Sequence, residues 1–158
     1  MNIKIICVGK IKEKYFSDAV KEYSKRMSRF SNFSIVEVPD EKIPDNASEK
    51  EDLQIKNSEG RLILSKLKPG DYVIAMCIEG SQLDSVEIAD KIEKISMSHS
   101  SIAFIIGGSL GLSDEVKQRA KLRLSFGKIT LPHQLMRVVL CEQIYRAFKI
   151  NRNEQYHK

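Results

Sequence analysis

A histidine and an arginine lie four residues apart in the segment LPHQLMR, residues 131 to 137, at the start of a markedly apolar stretch. An imidazole can serve as a general acid or base, and a guanidinium binds carboxylates and phosphates. Core packing alone requires neither group. If Arg137 is buried, it needs an anionic partner, which is either a structural carboxylate or a substrate phosphate. The segment is therefore a candidate site for acid–base or anion-binding chemistry.

A second candidate is the glycine-rich segment IIGGSLGLSDE, residues 105 to 115, which joins an apolar run to a predicted helix. Its spacing matches neither the dinucleotide fingerprint nor the Walker phosphate loop. Asp114 and Glu115 place negative charge in the first helical turn, where a phosphate would otherwise bind. The segment therefore favours an adenosine-type ligand without phosphate, held by backbone contacts. A plain strand-to-helix turn is the alternative.

The last three residues, Tyr156, His157 and Lys158, offer a hydrogen-bonding ring, an imidazole and an ammonium group. Terminal residues are commonly frayed, and in that case these groups have no function. Together they also suit the clamping of a nucleotide.

These groups need a scaffold that brings them together, and the chain alternates predicted strands with predicted helices. Strands are predicted at 2–8, 33–38, 72–78 and 102–106, with a further short run near RLSFGKI, residues 123 to 129. Helices are predicted from Tyr15, from the capping-box pattern of Ser48 and Glu51, around Ile88, over 114–123 and from LPHQLMR onward. This order predicts a single α/β domain over residues 1–158, with a mainly parallel sheet flanked by helices. Ligands bind beyond the carboxyl ends of such strands, so the segments after Ile78, Ile106 and Ile129 should lie close together.

Composition narrows the class of protein. Cys7, Cys77 and Cys141 each lie in an apolar run without C-x-x-C spacing, which is typical of reduced cysteines in a cytoplasmic protein. The longest apolar runs are too short for a signal peptide or a membrane span. We therefore expect neither a membrane partner nor a metal.

Basic charge is concentrated in the two chain ends. Residues 1–30 carry eight Lys and Arg against three Asp and Glu, and residues 119–158 carry nine against two, whereas residues 37–60 carry three against eight. If the ends meet in the fold, they form a positive face that suits RNA through its phosphates. A solvated surface without a partner is the alternative.

The predicted C-terminal helix is apolar over most of its circumference, and only Glu142, Arg146 and Lys149 share a narrow polar strip. Such a helix must be covered on most sides. In a chain of this size the pattern predicts a homodimer that uses this helix.

Several segments together resemble the ribosomal RNA large subunit methyltransferase H family, which is part of the SPOUT class of methyltransferases. They are VGKIKEKYF, VEVPDEK, GGSLGLSDE, SFGKITLPHQLMRVVLCEQIYRAFKI and the terminal YHK. LPHQLMR followed by EQIYRAFKI is highly specific, and the resemblance covers the whole chain.

The resemblance implies an enzyme that uses S-adenosylmethionine to methylate N3 of a pseudouridine in 23S ribosomal RNA, within the ribosome. It also implies a homodimer with the cofactor cleft near the subunit interface. The implied fold is an α/β domain whose C-terminal part forms a deep trefoil knot. Because knots are nearly absent from proteins, this expectation depends on the resemblance alone.

Carried over residue by residue, the resemblance places the cofactor pocket at Met76, Gly107, Phe126, Gly127, Lys128, Ile129, Thr130 and Leu131. Met76 and Ile129 differ from the family's usual Leu and Met, but both keep an apolar wall. These pocket residues lie in or directly beside the segments that follow Ile78, Ile106 and Ile129, which are expected to lie close together at the carboxyl ends of the strands.

The implied reaction is direct displacement, in which N3 of the base attacks the methyl carbon. Our hypothesis is that His133 or His157 accepts the N3 proton and that Arg137 holds a backbone phosphate or the developing anion. Tyr156 and Lys158 would grip the target nucleotide, from the tail of the partner subunit.

Two other functions are alternatives to this one. The first is a noncatalytic RNA- or ribosome-binding protein whose glycine loop is only a turn. The second is a nicotinamide-dependent oxidoreductase, but the sequence lacks the dinucleotide fingerprint, and a diphosphate would meet Asp114 and Glu115.

Overall fold

The computed structural model describes residues 1–158 as five strands and five helices. In chain order they are β1 (Asn2–Val8), α1 (Lys14–Met27), β2 (Asn32–Val38), α2 (Glu49–Ser65), β3 (Tyr72–Gln82), α3 (Ser85–Ser96), β4 (Ser101–Ile106), α4 (Asp114–Arg119), β5 (Leu122–Ser125) and α5 (His133–Asn151). All the strands are parallel and form one sheet in the order β2-β1-β4-β3-β5. The α/β architecture predicted from the alternation of elements is confirmed.

Helices cover both faces of the sheet, and β1 shows how its residues divide between them. Ile3, Ile5 and Cys7 pack on the side of α1, α3 and α5, whereas Ile6 and Val8 pack on the side of α2 and α4. Both sets of side chains are buried, which explains why β1, β3 and β4 are nearly continuous apolar runs. Helix α2, which begins within the acidic region 37–60, therefore lies on the face opposite α1 and α5.

The strand register brings the carboxyl ends of four strands to one edge. Cys7 of β1 lies opposite Ile106 of β4, and Met76 of β3 lies opposite Leu124 of β5. The chain leaves these positions through Gly9, the glycine-rich segment and residues 126–132. This edge therefore gathers the segments that the sequence singled out.

Three predicted boundaries were wrong. Strand β3 runs to Gln82 instead of Ile78, with an irregularity between Met76 and Ser81. Helix α4 ends at Arg119 instead of continuing through residues 120–123. No strand reaches Ile129, because residues 126–132 form a loop.

The physical cause lies around residue 120. Ala120 has extended backbone (φ −71°, ψ 133°), and beyond it Leu122 and Leu124 alternate with exposed Arg123. That two-residue period fits a strand beside β3, so pairing with the sheet overrides the helix-forming character of this segment.

The two basic chain ends meet in the fold. This is the condition under which their charges were expected to form a positive face. The ring of Phe30 stacks on that of Phe148 with centroids 5.5 Å apart, and the Arg152 guanidinium lies 4.7 Å from the Phe30 ring centroid. Arg26 similarly lies over the ring of Tyr145. Several of these cations are paired with carboxylates, including Arg26 with Glu22. No helix of the protein combines the length and apolarity that a membrane crossing requires.

Candidate active site

A cleft of about 290 Å³ opens at the carboxyl edge of the sheet, between the glycine-rich segment and the loop that follows β5. This volume is near the lower end of the usual range for small-molecule pockets. Seven of the eight predicted cofactor residues line the cleft, namely Met76, Gly107, Phe126, Gly127, Ile129, Thr130 and Leu131. Lys128 is exposed and does not line it. Seven residues that the family resemblance assigned to the cofactor pocket therefore line a single cleft, whereas Lys128 does not.

The loop after β5 turns tightly at Gly127, whose φ of +115° favours glycine. The hydroxyl of buried Ser125 braces the turn, because it lies 3.1 Å from both the N–H and the carbonyl oxygen of Gly127. Ile129, two residues beyond, is 79% exposed although it is apolar. The loop thus exposes an apolar tip beside the cleft.

The polar groups around the cleft are poorly arranged for a diphosphate. Ser113 caps α4, and Asp114 and Glu115 occupy its first turn, so that helix start repels anions. Two lysines line the cleft, Lys56 and Lys117, and Lys117 is bound to Glu79 at 2.6 Å. The hydrogen bond from Lys117 holds the pKa of Glu79 below its ordinary value. The cleft therefore suits an uncharged or cationic nucleoside better than a phosphorylated one.

His133 is the first residue of α5, and its half-buried side chain lines the cleft and also a smaller cavity beside it. Pro132 precedes it as the N-cap (φ −55°, ψ 141°), a position where its missing N–H costs no helical hydrogen bond. The imidazole is thus held on a rigid element at the junction of two cavities. This position allows it to exchange a proton with a group bound in either one.

Arg137 is 1% exposed and lines neither cavity. Its guanidinium contacts the Glu37 carboxylate at 2.7 Å and donates to the carbonyl oxygens of Val8 and Gly9 at 3.3 and 2.7 Å. The sequence left two partners open, a carboxylate and a substrate phosphate, and the structure brings the carboxylate. In these contacts Arg137 has no access to a phosphate, so its immediate role is to position α5 against the ends of β1 and β2.

The same cluster fixes the loop after β1. Glu37 also accepts the backbone N–H of Ile11 at 2.9 Å. Gln134, next to His133, accepts the backbone N–H of Lys12 at 2.9 Å. The start of α5 is thereby tied to the loop that carries Lys10 and Lys12.

The C-terminal tail folds back onto the other end of α5. The Tyr156 hydroxyl donates to the Glu142 carboxylate at 2.8 Å, beside the Tyr23 hydroxyl, which donates to the same oxygen at 2.6 Å. Burial alone would raise the pKa of Glu142. The hydrogen bonds from Tyr23, Tyr156 and Arg146 lower this pKa by a larger amount, so the net shift is downward. A tail this well anchored is not a frayed end.

Within one chain the tail is far from His133. At a rise of ~1.5 Å per residue, Glu142 lies roughly 14 Å along α5 from His133. The exposed His157 touches the Arg146 guanidinium at 3.3 Å and lines neither cavity. The structure therefore does not bring Tyr156 and His157 to the cleft of their own chain.

The cysteines take no part in the cleft chemistry as nucleophiles. Burial raises the pKa of Cys7 and of Cys141 to about 12, although the nearby Arg137 charge lowers both. Cys77 borders the cleft, and burial raises the pKa of its thiol too. All three are free thiols, as predicted, and no group of three or more His, Cys, Asp or Glu side chains is arranged to hold a metal.

Sequence reasoning missed Glu37, Glu59 and Lys117. Glu37 could have been predicted as the partner of Arg137. It is the lone carboxylate in the apolar strand FSIVEV, and a buried arginine in an apolar helix needs such a partner. Lys117 and Glu59 lie in ordinary charged helix surfaces, and nothing in their spacing distinguishes them. Glu59 is nevertheless 5% exposed in the structure.

Comparisons with known proteins show the family to which this chain belongs. The family described as "Predicted SPOUT methyltransferase" matches residues 1–157. The chain belongs to the SPOUT methyltransferase family.

Curated relatives match over their whole length. Proteins named ribosomal RNA large subunit methyltransferase H from Lactobacillus acidophilus and Lactiplantibacillus plantarum are each 58% identical to this chain, and that from Leuconostoc mesenteroides is 56% identical. In each case the match covers 100% of both chains.

A solved structure of "a probable methylase family protein" from Haemophilus influenzae Rd KW20 is also similar. It matches 99% of this chain and 70% of its own length, with a TM-score of 0.53 and 13% identity. At that identity the likeness shows a shared fold.

Proposed function

We propose that this protein transfers a methyl group from S-adenosylmethionine to N3 of a pseudouridine in 23S ribosomal RNA, within the assembled ribosome and in the cytoplasm. The observation that carries the proposal is the cleft itself, because seven of the eight residues expected from the family line one pocket with His133 in its wall. The methyltransferase activity of the named relatives supports the same reaction class.

The cleft fits the proposed cofactor in size and chemistry. Apolar side chains such as Met76, Phe126 and Leu131 suit the adenine ring and the methionine chain, and backbone groups at Gly107 and Gly127 suit its polar edges. When bound, S-adenosylmethionine supplies a methyl group on a positively charged sulfonium. The lack of phosphate on this ligand agrees with the acidic start of α4.

The chain's own residues would contribute position and proton transfer. Holding the base next to the methyl donor removes a large entropic barrier. Forming the N3–CH3 bond breaks the S–CH3 bond and requires the N3 proton to leave. His133 is the proposed acceptor, since its imidazole lies where the cleft meets the adjoining cavity. Arg137 then acts by positioning His133 through α5.

We further propose a homodimer in which the tail of one subunit completes the cleft of the other. Two features support this arrangement. The tail is anchored about 14 Å along α5 from the His133 of its own chain, and it therefore needs another cleft to serve. Apolar residues near the start of α5, including Leu135, Val138 and Val139, remain only half-buried in a single chain, and Ile129 is exposed.

The proposal includes the deep trefoil knot that the family resemblance implies for the C-terminal part, with the cofactor held in its loops. The noncatalytic RNA-binding alternative has no observation in its favour, because a turn alone needs no cleft of this kind.

Transfer of a labelled methyl group tests the proposal. The acceptors are free 23S rRNA, separate large subunits and whole ribosomes, all from cells that lack this protein. We expect label at N3 of one pseudouridine with whole ribosomes, and a saturable heat of S-adenosylmethionine binding by calorimetry. Binding without methylation of any acceptor would contradict the proposed reaction, and the absence of binding would contradict the cofactor.

A further inference from the structure

A second cavity, of about 120 Å³, adjoins the cofactor cleft and shares Gly108, Leu110 and His133 with it. The rest of its lining is largely polar and includes Lys10, Lys12, Asp40, Glu41, Glu59 and Gln134. Methyl transfer requires the acceptor base to lie against the methyl donor. A polar cavity that opens onto the cofactor cleft at a histidine is therefore the natural place for that base.

Glu59 is the most buried charged residue of this cavity, at 5% exposure. One of its carboxylate oxygens, Oε2, accepts the backbone N–H of Glu41 at 3.1 Å. The other, Oε1, has no donor from the protein, and no cation forms a salt bridge with Glu59. Because Oε1 keeps access to the cavity, water or a ligand can donate a hydrogen bond to it. It is suited to accept a hydrogen bond from a ligand.

The glycine-rich segment passes directly over this carboxylate. A Cβ atom on Gly108 would lie 3.0 Å from Glu59 Oε1 and 3.3 Å from Oε2. Any side chain at position 108 would therefore crowd the carboxylate. Gly108 and Glu59 both line the second cavity, and Gly108 also lines the cofactor cleft, so the carboxylate lies close to the boundary between the two.

We propose that the second cavity is the subsite for the acceptor base, and that Glu59 accepts a hydrogen bond from its N1–H group. This inference rests on the proposed function. Pseudouridine is joined to ribose through C5, which leaves N1–H free as a donor. In uridine the equivalent edge carries C5–H, which donates no comparable hydrogen bond. Glu59 would thus be a specificity-determining residue that distinguishes pseudouridine from uridine.

The orientation of the base follows from its ring. N1 and C5 lie on either side of the axis through N3 and C6, so a base with N3 towards His133 and the cleft presents N1–H to one side wall. Glu59 would form that wall. Lys10 and Lys12 at the cavity would contact the phosphates flanking the target, because the Lys12 backbone is fixed by Gln134.

The expected size of the effect is large. A site built to hydrogen-bond an N–H group rejects an analogue that lacks it, because the buried acceptor is then left unpaired. We expect the wild-type protein to prefer pseudouridine over uridine by at least ~100-fold in kcat/KM.

The test compares two acceptors, ribosomes with the target pseudouridine and ribosomes from cells lacking the synthase that makes it. Glu59→Leu removes the acceptor, and Glu59→Gln replaces it by a neutral one while keeping the shape and the contact to Glu41. Glu93→Gln is the matched control, because Glu93 is an exposed glutamate of α3 that lines neither cavity. S-adenosylmethionine affinity is measured for each variant.

We expect Glu59→Gln to lower the pseudouridine-to-uridine ratio about tenfold and Glu59→Leu to lower it further, since charge-assisted hydrogen bonds are the stronger ones. Cofactor affinity should stay within about twofold of wild type, and Glu93→Gln should leave the ratio unchanged. An unchanged ratio in Glu59→Gln, or a loss confined to cofactor affinity, would overturn the subsite alone. If the wild-type protein methylates neither ribosome, the proposed function fails and the subsite fails with it.

Discussion

At the N-terminal end of α5, His133 lies between two cavities, whereas beyond its C-terminal end His157 is exposed and touches only the guanidinium of Arg146. The first imidazole lies one turn before the buried Arg137, whose guanidinium is bound to Glu37. The second is carried by a short tail whose anchor is the Tyr156 hydroxyl on Glu142.

The two ends of α5 differ in what they could contribute to an active site. The N-terminal end of α5 offers a rigid wall with cavities, but few groups to close it. The C-terminal end offers reactive groups on an anchored tail, but no cavity. Each end supplies what the other lacks, which favours a site built from the wall of one chain and the tail of another.

Removal of the tail should produce the largest effect. Deleting residues 156–158 is expected to reduce methyl transfer by at least ~1000-fold, because the groups that close the site over the base are lost. S-adenosylmethionine affinity, measured by calorimetry, should be unchanged, since none of these residues lines the cleft. Full activity in the truncated protein would remove the tail from the mechanism.

Arg137→Met should have the largest effect on folding. It leaves the carbonyl oxygens of Val8 and Gly9 without their donor and Glu37 without its cation, so we expect a loss of about 3 kcal/mol in the free energy of unfolding by denaturant titration. Arg61→Met, at an exposed position of α2, should change it by less than ~0.5 kcal/mol. Equal losses in the two variants would show that the Arg137 cluster does not stabilise this end.

The buried thiols predict a pH dependence of stability. Cys7 and Cys141 have pKa values raised to about 12, against an ordinary value of 9.0. A raised pKa in the folded state means that the contribution is fully present below pH 9 and is lost as the pH rises towards 12. Each thiol should lower the free energy of unfolding by ~1.4 kcal/mol per pH unit in that window.

Denaturant titrations between pH 8 and 10.5 measure this slope. The Cys7→Ala/Cys141→Ala double variant should show a shallower decline than wild type, even though it is less stable at pH 8. Parallel slopes would mean that these thiols are accessible to water beneath α5.

The smallest effect is expected from the tail anchor. Tyr156→Phe removes one hydrogen bond to Glu142 and should lower kcat about tenfold, because hydrogen bonds to charged groups contribute ~1.5–3 kcal/mol. Tyr23→Phe removes the other hydroxyl from the same carboxylate oxygen but leaves the tail attached, so kcat should fall less than about twofold. Similar losses in both variants would assign Glu142 a structural role only.

The sequence was sufficient for the elements that follow a clear period. Apolar runs with both faces buried predicted β1, β3 and β4, and Ser48 with Glu51 predicted the start of α2, where the capping box is present. It was insufficient at β5, a four-residue strand preceded by helix-forming residues. Short strands depend on pairing with a neighbour, and here that neighbour is β3, which is more than forty residues earlier in the chain.

The candidate site divides in the same way. The strand-end rule and the family resemblance located the walls of the cleft, because both act through segments that are continuous in sequence. The partners of Arg137 and the burial of Glu59 were out of reach, since they depend on contacts between distant segments. Glu37 lies a hundred positions before Arg137 in the chain.

Mixed dimers test the central claim most directly, that one chain's cleft is completed by the other chain's tail. His133→Ala and the deletion of residues 156–158 are each expected to be inactive alone. When they are mixed and allowed to exchange subunits, half of the dimers combine the two, and each of these has one intact cleft facing one intact tail. Methyl transfer to ribosomes should then recover to about a quarter of the wild-type rate. A mixture that stays inactive despite proven subunit exchange would contradict the account.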